Sequence, residues 1–165
     1  MFKTMMLAIL LAAPVSTMAD NVIIRGNIVS KCTIHTDIPG VYGNPSMSVL
    51  STAAADGGAQ PVVRYDVVSG GFYKAVITTP TSFSSGPSLE DSVAWIGSTA
   101  VSAVSDAGMS VYTTNKRIIN NSTEFDLTLP GTVWFKSASK ATYGYNRALP
   151  SGEYRAVIIA ECIAL

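Results

Sequence analysis

The sequence predicts an all-β fold, a sandwich that lacks one strand position of its own. Three observations carry this expectation. Short runs rich in branched and aromatic residues recur between Gly/Pro turns, the rhythm of an antiparallel sandwich. No stretch of ten or more residues holds a helical hydrophobic period. The two ends of the chain, Val22 to Cys32 and Gly152 to Leu165, are both strongly apolar and strand-like.

Residues 1–19 carry one basic residue, Lys3, then an apolar run from Met5 to Pro14 and the short side chains of Thr17-Met18-Ala19. This is the layout of a secretory signal peptide, too short and wrongly flanked for a membrane anchor. The expected mature chain starts at Asp20 and is exported and soluble. Its 146 residues suit one domain with a real core. Residues 20–31 follow as an extension in which Val22, Ile24, Gly26 and Ile28 share one strand face. A strand this apolar at a mature terminus needs a sheet to join, and that sheet need not be its own.

Within 32–165, strand runs are expected at Cys32–His35, Ser46–Leu50, Val62–Val68, Phe72–Thr78, Ser92–Ile96, Met109–Thr113, Glu124–Leu129, Val133–Lys136 and Tyr154–Leu165. Turn signals separate them, among them Asp56-Gly57-Gly58, Ser85-Gly86-Pro87, Pro130-Gly131 and Pro150-Ser151-Gly152. Ser98 to Gly108 has room for one helical turn at most. The last strand places Tyr154, Ala156, Ile158, Ala160, Cys162 and Ala164 on one face. Its other face is also largely apolar over twelve residues, about 40 Å of strand. That pattern predicts a long central strand with neighbours on both edges. A loose apolar first strand and an unfilled place beside the last would make head-to-tail contacts that need not close.

After removal of Lys3 with the leader, 10 basic residues face 11 acidic ones, a formal charge of −1. No basic stripe exists for nucleic acid. Charged residues are 13% of the chain, against about 25% in an average domain. This fits either a small, tightly packed β protein or a subunit whose surface is largely covered by copies of itself. Cys32 and Cys162 are the only cysteines, and an even count in an exported chain favours a disulfide.

With these end motifs the chain resembles the pilins of chaperone–usher fimbriae, nearest their colonisation-factor and common-pilus branch. Val22, Ile24, Gly26, Ile28 and the following Cys32 are similar to that family's N-terminal extension. Gly152, fourteen residues from the end, and the alternating positions after it are similar to its C-terminal motif. Ser92 to Gly97 and Leu149 to Tyr154 add weaker likeness. The resemblance implies an incomplete immunoglobulin-like sandwich, completed by a donor strand from another subunit. Val22, Ile24, Gly26 and Ile28 would be the donor. Gly152, Tyr154, Ala156, Ile158, Ala160 and Ala164 would form a wall of the acceptor groove. Partners would be neighbouring pilins, a periplasmic chaperone and an outer-membrane usher, with the product a fimbrium on the bacterial surface. Strand addition to an open sheet edge is the family's known mode of assembly, and it comes here with the resemblance alone. Two features depart from the family: Ala164 stands where an aromatic is common, and the second cysteine lies in the last strand. A Cys32–Cys162 bond would then staple the two groove walls.

Signals for other chemistry are weak. His35, the only histidine, lies in sequence near Cys32 and could meet Glu161 and Cys162 as metal ligands, but the paired spacing of a zinc site is missing. No Gly-x-Ser-x-Gly elbow, phosphate loop or carboxylate pair is present, and no cofactor or enzymatic activity is expected. Trp95, Trp134, Tyr112, Tyr143 and Tyr145 are candidates for a sugar-stacking face, although strand aromatics are more often core. Asn120 and Asn121 head acceptor-like glycosylation sequences that read as accidental in a bacterial-type chain. Two other readings stand beside the pilin. One is a self-contained, lectin-like binding module; the other is a secreted hydrolase that depends on His35.

Overall fold

Alternation of inward and outward side chains builds two antiparallel sheets on one core. The computed structural model describes residues 31–165 except Phe72 and Asn146. The leader and Val22, Ile24, Gly26 and Ile28 lie outside the described residues.

The strands, in chain order, are β1 (Cys32–Ile38), β2 (Gly43–Ser46), β3 (Val49–Ser51), β4 (Val62–Val67), β5 (Tyr73–Thr78), β6 (Val93–Val104), β7 (Arg117–Ile119), β8 (Ser122–Leu127), β9 (Gly131–Tyr143) and β10 (Ile159–Ala164). In the first sheet β9 is the long central strand. Its start pairs with β4 (Val63 opposite Phe135) and its end with β3 (Leu50 opposite Ala141). β6 lines its other edge throughout. β1 lies outside β4, and β2 outside β3. The second sheet runs β10-β5-β8-β7.

The inward positions meet in one cluster. Val63, Tyr65 and Val67 of β4 and Val133 and Phe135 of β9 pack on Ala75 and Ile77 of β5 and Phe125 and Leu127 of β8. Phe135 is the hub, its ring 5.3 Å from Tyr65 edge-on and 4.3 Å from Phe125. The side of the fold where β6 hands over to β7 is closed by a 3₁₀ helix, Ala107–Thr113, whose Met109 and Tyr112 are buried. Leu129 N–H donates to the Tyr112 hydroxyl at 3.0 Å and ties this plug down.

Several elements differ from the sequence expectation. The run at Met109–Thr113 is the 3₁₀ helix and not a strand. Asp106 accepts from Gly108 N–H at 2.7 Å to start it, and the buried residues are three apart, the 3₁₀ period. Ser46–Leu50 is two short strands, β2 and β3, around a turn at Met47 and Ser48. β6 runs eight residues past Ile96, and β9 runs seven past Lys136. The three-residue β7 has no counterpart among the expected strands. Among the described residues the last strand is an edge strand: Ile159–Ala164 joins a sheet there, on β5 alone. Its outer face is open, with Val157, Ile159, Ile163 and Leu165 exposed.

Phe135→Ala would empty the centre of this core and should lower the unfolding free energy by about 3–5 kcal/mol in urea. Ile96→Ala, on a side chain 70% exposed, should change it by less than about 0.5 kcal/mol.

Candidate functional site: a groove between two free edges

β1 and β10 are the edge strands of their respective sheets, and they lie on the same side of the fold. Among the described residues β1 pairs only with β4 and β10 only with β5. Cys32 opens β1 and Cys162 stands near the end of β10, and the two form a disulfide with their Cα atoms 6.4 Å apart. Above it the edges part. A groove of about 950 Å³ opens between Thr36 to Tyr42 on one wall and Gly152 to Ile158 on the other, with Leu50 and Val63 also lining it.

The β1 wall is held from outside. Arg64 on β4 bridges Asp37 at 3.4 Å and Asp66 at 3.1 Å. Asp37 also accepts from Trp134 Nε1 at 2.7 Å, and Asp66 from Thr132 Oγ1 at 2.8 Å. These partners link β1, β4 and β9 and leave the groove edge of β1 free.

The opposite wall explains why β10 starts late. Pro80 has no N–H to extend a ladder, and β5 ends at Thr78. The chain before β10 instead touches the loop beyond Pro80: Arg155 N–H donates to Ser85 O at 2.9 Å and Ser84 N–H to Arg155 O at 2.7 Å. Between this bridge and Ile159, the main chain of Ala156, Val157 and Ile158 has no protein partner among the described residues. Tyr154, Ala156, Ile158, Ala160 and Cys162 are half-buried, alternating with exposed neighbours, and Ala164 is exposed. Gly152 has φ +152°, and a Cβ there would come 2.5 Å from Pro87 Cγ, so the turn into this wall calls for glycine. Tyr154 donates its hydroxyl to Pro150 O at 2.8 Å and stacks at 4.9 Å on Phe83, which in turn meets Trp95 at 4.8 Å.

Lower in the groove, Tyr65 crosses between the sheets. Its ring is wholly buried, and its hydroxyl donates to Glu161 O on β10 at 3.2 Å. Burial, and secondarily the Glu161 charge, pushes its phenol well above the ordinary 10.0.

The other sequence candidates are scattered. Tyr112 and Tyr143 are buried, Trp95 packs on Phe83, Trp134 donates to Asp37, and Tyr145 alone projects, 88% exposed. They form no common face for a sugar. His35 is exposed, its Nε2 3.7 Å from Asp66. With Cys162 oxidised, the thiolate that a His35 metal site would need is gone. Asn121 uses its side chain on Thr79 O at 2.9 Å. Comparison with known proteins gave no matching family model, no similar curated protein and no similar solved structure.

Two outcomes test this description. Replacing both cysteines by serine opens a loop spanning 130 residues and should cost about 2–5 kcal/mol of stability in urea. Tyr65 has its folded pKa raised, so its contribution is full below pH 10 and lost as pH climbs towards the folded value. Alkaline titration of stability should therefore fall more shallowly in Tyr65→Phe than in the parent, with a residual fall from Tyr42, also raised by burial.

Proposed function

We propose that this chain is a structural fimbrial subunit that polymerises by donor-strand exchange, segment 20–31 of one copy filling the groove of the next. The observation that carries the reading is the main chain of Ala156–Ile158, unpaired among the described residues and set in the wall of a partly apolar groove that faces the edge of β1. An unpaired edge is a template for strand addition, and a strand laid between β1 and the last strand would satisfy both edges at once.

The sequence supplies a segment of matching chemistry. Val22, Ile24 and Ile28 offer three branched side chains on one face with Gly26 between them, each contributing roughly 1.5–3 kcal/mol on burial. The groove-lining positions on the opposite wall alternate in size: Tyr154, Ala156 and Ile158. Filling the groove would complete an immunoglobulin-like sandwich, and a low-charge surface suits a subunit packed among copies. On this reading the leader directs export, a periplasmic chaperone occupies the groove first, and an outer-membrane usher carries out the exchange. The product is an adhesive surface filament. Nothing in the reading requires a cofactor or a catalytic residue.

The test is urea unfolding of a variant lacking residues 20–31, alone and with a synthetic peptide of that sequence. A marginal domain that gains large, cooperative stability from the peptide supports the exchange. A domain equally stable with and without it overturns the reading and leaves a self-contained binding module.

A further inference from the structure

Resting on the reading of the groove as a strand acceptor, we propose that Tyr65 is the end stop that fixes how far an added strand runs, and thereby which copy of the chain supplies it. An intervening strand needs its two flanking strands roughly 9.5 Å apart, twice the inter-strand spacing. At Cys32 and Cys162 the flanking Cα atoms are 6.4 Å apart, so no strand passes between them. One residue above, the Glu161 carbonyl already accepts the Tyr65 hydroxyl. An added strand that paired at Glu161 would have to share that carbonyl with the Tyr65 hydroxyl or displace it.

What stays open is the stretch from Gly152 to Ile158, seven residues or about 23 Å. The segment Val22 to Ile28 is also seven residues, with its apolar face at alternate positions. A neighbouring copy can place all four of Val22, Ile24, Gly26 and Ile28 in this stretch. The chain's own segment cannot. Cys32, Ile34 and Thr36 are the inward residues of β1, opposite the buried Val67, Tyr65 and Val63. Residues directly opposite share a face. Doubling back from Lys31 with its apolar face inward would set Ile28 level with Cys32 and Gly26 level with Ile34. Both levels lie at the closed end, where the disulfide and the Tyr65 bond already join the sheets. Self-filling thus leaves half of the segment without a place, and the groove selects another copy.

The experiment uses the full chain, wild type and Tyr65→Phe, and reads how well peptides block its assembly by size-exclusion chromatography. The probes are the seven-residue peptide Val22–Ile28 and two nine-residue forms that add one inward-facing isoleucine beyond either end. A stop at Tyr65 predicts that the potency ratio of nine-residue to seven-residue peptide rises about tenfold in Tyr65→Phe for one extension, the gain from one more buried branched side chain. The other extension should keep its wild-type ratio. Unchanged ratios for both extensions overturn the stop and leave the groove reading intact. Failure of the seven-residue peptide to block either protein overturns the groove reading itself. A second measurement needs no variant: hydrogen exchange of the wild-type chain with the seven-residue peptide should show added protection at residues 36–38 and 154–158 and none at 32–34. Added protection at 32–34 overturns the stop.

Discussion

The bond between Cys32 and Cys162 closes one end of a side along which the two sheets, past the Tyr65–Glu161 hydrogen bond, part. On the opposite side the chain itself joins the sheets, through the 3₁₀ plug with Met109 and Tyr112 buried in the core. On the β1/β10 side the groove walls carry no strand between them among the described residues, and the covalent link sets their separation at one end. From that point the walls diverge. The groove's depth, its open length and the position of Tyr65 within it all follow from a 6.4 Å Cα separation at the bottom and Pro80 ending β5 at the top.

The fold class was legible because most core strands alternate plainly: Val63, Tyr65 and Val67, or Phe125 and Leu127. The pairing of the two cysteines was legible from their number and their setting. The second half of β9 was not, because Ser137 to Lys140 carries no large apolar side chain. There the inward positions are serines, buried through hydroxyl pairs: Ser137 with Thr99 at 2.9 Å and Ser139 with Tyr42 at 2.9 Å. Burial satisfied by hydrogen bonds leaves no hydrophobic period to read. The same limit hid the length of β6, whose later half is rich in Ser, Ala and Thr.

The last strand shows a different limit. Its alternation is as expected, yet an apolar pattern on both faces predicted two neighbours, and among the described residues β10 has one. Periodicity reports which side chains want burial; it does not report what buries them. Val157, Ile159, Ile163 and Leu165 remain exposed in the single chain, and the sequence pattern alone cannot distinguish a missing strand from one supplied within the domain. Tyr65 was illegible for a simpler reason. Its role lies in one bond to a carbonyl 96 residues away, and no local pattern encodes a contact of that range.

If the groove takes a strand as proposed, the domain would have to be stable enough to persist unfilled and incomplete enough to accept one. The energetic scales are compatible with both. Three buried branched side chains from a donor contribute roughly 4.5–9 kcal/mol, comparable to the whole stability of a small domain. A link closing 130 residues contributes about 5 kcal/mol on the chain-entropy estimate, the same order as what the absent strand withholds. On the proposed reading the disulfide would offset a missing strand without filling its place. It stabilises by restricting the unfolded chain, so it supplies none of the hydrogen bonds that Ala156–Ile158 lack among the described residues. A hydrophobic plug would have given similar stability and closed the groove. On the proposed strand exchange, a covalent staple at the closed end would add stability and leave the rest of the groove open to a strand.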